Sequence, residues 1–158
     1  MSGDAPLHPN PLTVILAFDY GTRRIGVACG NTLSRMAQPL CTLECRQQQI
    51  PWDAIDRLIA DYLPGQLVVG LPYNDDGTAT GMTAPAQAFA AQLAERSKLP
   101  VALVDERYSS REAERELAYL RRSGIKTRRV THADVDMAAA KVVLERWFST
   151  PASEQVRD

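Results

Sequence analysis

The sequence predicts an α/β fold built on a five-stranded mixed sheet with helices on both faces. The first observation behind this is Thr13 to Phe18, uniformly apolar up to Asp19, as expected of a central strand covered on both sides. The second is a change of period. Apolar residues recur at helical spacing at Trp52, Ile55, Leu58, Ile59, Tyr62 and Leu63, and again at Ala86, Phe89, Ala90 and Leu93. The third is connection length. The early links are short and imply antiparallel neighbours, whereas the later ones hold helices and imply parallel strands.

Residues 1–12, rich in proline, are expected to form a disordered lead-in, residues 13–149 the folded domain, and residues 150–158 a C-terminal tail. The first strand is Thr13–Asp19, and a turn at Gly21 leads to a second at Ile25–Cys29 and then a third at Ala37–Thr42. The helix from Trp52 stops at Pro64-Gly65, since proline cannot continue it, and Gln66–Leu71 follows as a buried fourth strand. After a polar loop, the helix around Ala86–Leu93 crosses over to a fifth strand, Pro100–Asp105. Ser109 with Glu112 forms a capping-box pattern at the start of a third helix, whose periodicity fades near Arg121. The last helix runs from about Thr131 to Phe148.

At 158 residues and 45% hydrophobic content, the chain can bury one core without disulfide or metal staples. Cys29, Cys41 and Cys45 are odd in number and lack the paired spacing of zinc sites, so reduced thiols are expected. No apolar run reaches the roughly 18 residues of a membrane span, and the N-terminus lacks a basic and apolar leader. A cytoplasmic protein with no membrane partner is the expectation. The net charge of −1 announces no nucleic-acid binder, but its distribution does. Arg121, Arg122, Lys126, Arg128 and Arg129 form an acid-free run around a Ser123-Gly124 hinge, suited to holding phosphates by counterion release. Aromatic residues are too few for a stacking platform, which favours recognition of shape and phosphate.

Ligands of open α/β sheets gather at the carboxyl ends of parallel strands. Asp19 stands at one such end, and Asp105 and Glu106 close another. Adjacent strand residues point to opposite faces, so only one of Asp105 and Glu106 can join Asp19, and periodicity leaves the choice open. A third acid comes from the last helix. At 100° per residue, Asp136 shares the core-facing stripe of Ala139, Ala140, Val143 and Trp147, whereas Asp134 falls beside Lys141 and Glu145. Asp134 also lies three residues after Thr131, where a capping role accounts for it. Asp19, one acid of the Asp105-Glu106 pair, and Asp136 therefore form a candidate Mg²⁺ or Mn²⁺ site. Two such ions about 3.5–4 Å apart activate water and stabilise the leaving oxyanion in phosphodiester hydrolysis.

Four blocks are similar to the signature motifs of the YqgF (RuvX) family, in order and spacing: Asp19-Tyr-Gly-Thr-Arg-Arg-Ile-Gly-Val-Ala28, Gly70-Leu-Pro-Tyr-Asn-Asp-Asp-Gly-Thr78, Asp105-Glu-Arg-Tyr-Ser-Ser-Arg-Glu-Ala113 and Asp136-Met-Ala-Ala-Ala140. The likeness extends from about Ile15 to Phe148. It implies an RNase H-like fold related to the Holliday-junction resolvase RuvC, and a nuclease that processes the 5′ end of precursor 16S rRNA. It selects Glu106 as the functional acid of its block and leaves Asp105 to pair with Arg107. It also implies that the loop with Asn74 lines the substrate groove, with structured RNA as partner, a DNA junction as the alternative, and ribosomal particles or factors alongside, while Arg107 is a candidate for a phosphate contact or, equally, for a salt bridge. RuvC-type enzymes carry an acid at the end of the fourth strand, where this chain has Leu71-Pro72, and that departure turns the reading away from junction resolution.

Two other classes compete. Asp-x-Gly-Thr after a first strand also opens the phosphate loop of sugar kinases and actin, but those proteins need two such domains and this chain has room for one. A non-catalytic nucleic-acid-binding module is the third reading, and the intact acids argue against it.

Overall fold

The computed structural model describes residues 12–107, 109–122, 130–150 and 156–157, without the side chains of 109–113, 121, 156 and 157. Three strands form an antiparallel meander, β1 (Val14–Asp19), β2 (Arg24–Asn31) and β3 (Ala37–Glu44). Strands β4 (Gln66–Leu71) and β5 (Val101–Asp105) are added in parallel, β4 against β1 and β5 against β4. This is the predicted mixed sheet of five, in the order β3-β2-β1-β4-β5. A two-residue strand, β6 (Val156–Arg157), extends it by pairing antiparallel with β5.

Both central strands are covered on both faces, as their unbroken apolar sequences require. Ile15 to Phe18 are fully buried, and every residue of β4 is buried. On one face, α1 (Trp52–Tyr62) and α2 (Thr83–Ser97) supply Ile55, Phe89, Ala90 and Leu93 to a core with Leu16, Phe18, Ile25, Val27, Leu67 and Val69. On the other, α4 (His132–Ser149) lays Ala140, Val143, Leu144 and Trp147 over Ile15, Ala17, Ala28, Val68 and Ala102. Alternate residues of each strand feed alternate cores, and this two-residue period sets the face on which each functional side chain appears. Truncating a buried residue such as Phe18 in this core would cost about 3–5 kcal/mol.

Helix α3 (Ser109–Arg122) does not lie on the sheet but packs against α4, through Leu117 against Ala138, Ala139 and Val142. The capping box expected at Ser109 and Glu112 falls on side chains outside those described. Helix α1 ends where expected. Leu63 turns left-handed at φ 48° and donates its N–H to Ile59 O at 2.9 Å, and Pro64 blocks continuation. The cysteines are unpaired thiols; burial holds all three above the usual thiol range. No helix among the described residues is long and apolar enough to cross a membrane.

Candidate active site

The strand period decides what the sequence left open. In β1, Leu16 and Phe18 face α1 and α2, so Asp19 belongs with Ile15 and Ala17 on the α4 face. In β5, Val101 and Leu103 face α1 and α2 while Ala102 and Val104 face α4, which carries Asp105 to the first side and Glu106 to the second. Asp19 and Glu106 thus meet on one face and share a hydrogen bond, while Asp105 accepts from Arg107 Nε at 2.8 Å on the other.

Tyr20, the residue after Asp19, falls on the opposite face and stacks on Phe89 at 5.0 Å between ring centroids. The backbone beyond the carboxylate is thereby anchored. The backbone N–H of Glu106 donates to Leu71 O at 2.9 Å, which fixes the glutamate just past the end of β5. Its carboxyl is buried, and Oε2 has no hydrogen-bond partner among the described residues. Burial, then the Asp19 charge, push Glu106 up to about 10. Burial raises Asp19 to about 6, with the hydrogen bond from Glu106 opposing and the Asp136 charge adding. Two carboxyls this close cannot both ionise without a compensating cation, so burial and mutual repulsion favour one proton shared by the pair.

Helix α4 brings the third acid. Its first turn is closed by a capping box in which Thr131 Oγ1 accepts from the Asp134 N–H at 3.2 Å and Asp134 Oδ2 accepts from the Thr131 N–H at 2.9 Å. Thr42 on β3 donates to Ala133 O at 2.7 Å and ties this turn to the sheet. Gly26 lets the turn come close, because a Cβ there would overlap the backbone carbonyl of Asp136. Asp136 is then near enough to Asp19 to act on it by charge, and its Oδ2 accepts from Arg24 Nε at 2.5 Å. Asp134 is the more buried of the two acids at 2% exposed, so hydrogen-bond partners separate their roles where burial does not. Among the described residues, no three acids, histidines or cysteines already form a metal-sized cluster. Asp19 and Glu106 are engaged with each other, and Asp136 with Arg24.

The fourth-strand position between the acids is Gly70. It pairs in register with Asp19 on one side and Val104 on the other, and a Cβ there would lie 2.6 Å from Glu106 Oε2 and 2.8 Å from Val143 Cγ2. The structure therefore has no room at Gly70 for an acid while Glu106 keeps its place.

The remaining sequence candidates are dispersed. Asn74 directs its amide to Thr78 Oγ1 at 2.9 Å and Ala79 O at 3.3 Å, closing its own loop. Arg107 bridges Asp105 and the Asp75 carbonyl, the latter at 3.3 Å, at the carboxyl edge of the sheet. Arg122 is exposed at the end of α3. The side chain of Arg121, and all of Lys126, Arg128 and Arg129, lie outside the described residues. Two arginines escaped the sequence reading. Arg24 sits within the first motif and pairs across the fold to Asp136. Arg146, one turn from the end of α4, donates to Asp105 O at 3.0 Å and lowers Glu106 by its charge. Arg24 was visible only as a motif position, and nothing in the local sequence marked Arg146.

Comparison with known proteins gives the same picture. Residues 13–150 match the RuvX family, described as Holliday junction resolvase. A protein of Xylella fastidiosa (strain M23) named "Putative pre-16S rRNA nuclease" is 44% identical over 143 residues, covering 90% of this chain and 92% of the relative. One of the same name from Paraburkholderia phytofirmans is 45% identical over 135 residues, covering 85% and 86%. Among solved structures, a Thermus thermophilus RuvC in complex with a Holliday junction substrate superimposes with a TM-score of 0.56 at 15% identity, over 92% of this chain and 99% of that one. The fold is thus the RNase H-like one expected, and since the family match spans strands β1 to β5 and all four helices, the chain belongs to the RuvX family.

Proposed function

We propose that this protein is a divalent-metal-dependent nuclease that hydrolyses phosphodiester bonds in structured RNA, with precursor 16S rRNA as the substrate that its relatives' names suggest and processing of the 5′ end as the step. The observation that carries the reading is the Asp19–Glu106 pair, pressed together on one face with a buried Glu106 oxygen unsatisfied. Burying two carboxyls is costly unless a cation or proton compensates, and an all-oxygen donor set of this kind fits Mg²⁺ or Mn²⁺. Asp19, Glu106 and Asp136 would hold the ions, which supply a water activated at neutral pH and charge neutralisation at the leaving oxygen.

The chain's own residues prepare that arrangement. Asp19 is rigid because β1 is central and Tyr20 is stacked beneath the sheet. Glu106 is fixed beside Asp19 by its backbone bond to Leu71 and would hold a cation as the ionised carboxylate, and Asp136 is oriented by Arg24. The basic run from Arg121 to Arg129 is assigned to the phosphates of the substrate, and Arg107 at the sheet edge to the path of the substrate strand. Cytoplasmic location and contact with ribosomal particles follow from the same reading.

Junction resolution is the second reading, favoured by the family's description and by the fold shared with RuvC. The Leu71-Pro72 end of β4, which carries no acid, weighs against a RuvC-like acid set. The test is a Mg²⁺ and Mn²⁺ titration of wild type and Asp19→Asn against structured RNA and a four-way DNA junction. Metal-dependent RNA cleavage lost in Asp19→Asn is the expected result. Cleavage of the junction alone would replace the RNA reading, and cleavage of neither would overturn the enzyme.

A further inference from the structure

On the face of the sheet opposite the acids, a cavity of about 530 Å³ opens at the carboxyl ends of β4 and β5. Leu71 and Leu103, both on the α1/α2 side of their strands, give it an apolar wall, and Tyr73, Gln87, Asp105 and Arg107 complete the lining. Its size is within the roughly 300–1,000 Å³ of small-ligand sites. The acid site does not use Tyr73 or Gln87.

The lining chemistry selects among ligands. The Arg107 guanidinium is neutralised by Asp105 at 2.8 Å and also donates to the Asp75 carbonyl, so the cavity offers no net positive charge to an isolated phosphate. An aromatic ring, an exposed amide with one donor group and one acceptor, and two leucines suit a flat, neutral heteroaromatic ring with a polar edge. Position narrows this further. Asp105 and Glu106 are consecutive, one in the cavity and the other in the acid pair, and Leu71 lines the cavity while its carbonyl accepts the Glu106 N–H. A single strand of nucleic acid passing over the carboxyl edge of the sheet goes directly from one to the other.

We infer that this cavity is a nucleobase subsite, taking the unpaired base of a nucleotide that flanks the phosphate held at Asp19 and Glu106. Tyr73 stacks on the base, Gln87 bonds its polar edge, and Arg107 marks the crossing between the two faces. The inference rests on the nuclease reading for the identity of its ligand, but binding can be measured without cleavage.

The probe is a fluorescent single-stranded RNA hexamer, bound to the full chain in EDTA, intact or carrying one abasic nucleotide at each position in turn. Tyr73→Ala should weaken binding of the intact hexamer by about tenfold, as expected for one lost base stack. Tyr73→Phe should bind as wild type does. One abasic position should reproduce the loss, and on that hexamer Tyr73→Ala should have no further effect. Gln87→Ala, an exposed change on α2 that leaves the core intact, should give a smaller loss at the same position. Wild-type affinity in both alanine variants, or losses that multiply at every abasic position, would overturn the subsite. The nuclease reading fails separately, if wild type and Asp19→Asn leave structured RNA equally uncut in Mg²⁺.

Discussion

Arg24 and Asp136, 112 residues apart in the chain, are joined by a 2.5 Å ion pair that holds the third acid of the proposed site near Asp19. The pair links β2 to the start of α4 and makes the carboxylate's orientation a product of tertiary structure. Residues that orient metal ligands typically contribute about 10–100-fold to affinity or activity. Arg24→Ala should therefore reduce Mg²⁺-dependent cleavage by about that factor while Arg24→Lys retains part of it, as read from rates at saturating RNA across a metal titration.

The two acids near the start of α4 should behave differently. Asp136→Asn is expected to abolish cleavage with little change in stability. Asp134→Asn should keep most of the activity and lower stability by about 1 kcal/mol through the weakened capping box. Parallel cleavage and thermal-unfolding measurements check this. Equal activity loss in both variants would refute the assignment.

The raised acids make stability fall with pH. The ordinary values are 3.8 for Asp19 and 4.5 for Glu106, against about 6 and about 10 in the fold. Between those limits the folded state binds more protons than the unfolded chain, so rising pH favours unfolding. In EDTA, Glu106→Gln should match wild type near pH 4 and unfold at a higher temperature by pH 8. Added Mg²⁺ should stabilise wild type increasingly as pH rises, because binding the ion releases the proton. A Glu106→Gln protein no more stable than wild type at pH 8 would contradict the buried shared proton.

Gly26→Ala tests how closely α4 approaches the sheet. The added methyl meets the Asp136 carbonyl and must push the helix away, at a cost of about 1–3 kcal/mol. Lower thermal stability together with lost cleavage is the expected outcome, since the displaced turn carries Asp136.

The basic run is tested by salt. Replacing Lys126, Arg128 and Arg129 together with alanine should weaken RNA binding uniformly across sequences. The slope of log affinity against log salt should become shallower by about 0.7–0.9 for each phosphate contact removed. An unchanged slope would leave the run as a solvated surface.

The strands, the helices and Asp19 were legible because β1 and β4 are apolar throughout and the helices keep their period. The choice between Asp105 and Glu106 was not, and the reason is physical. A strand buried on both faces, such as β5 at Val101 and Ala102, carries no polar alternation from which its parity can be counted. The helical-face rule correctly placed Asp136 on the sheet side of α4, but it gave no sign that Asp134 would be the more buried acid. Arg24, Arg146 and the Tyr73 cavity depend on contacts between distant segments, and no local pattern encodes them.

Gly26, Asp19 and Gly70 form one row across three neighbouring strands, and only the middle position carries a side chain. Strands are spaced about 4.8 Å apart, so acids on β1 and β5 stand two spacings apart and meet only above the strand between them. Both side chains reach toward each other over Gly70, and a glutamate brings one methylene more to that meeting than an aspartate would. The bare strip at Gly70 is the corridor through which Glu106 extends, so the length of this one side chain and the emptiness of its neighbour are a single specification. A side chain placed at Gly70 would require Glu106 to withdraw, so a carboxylate there and the present Asp19–Glu106 contact exclude each other.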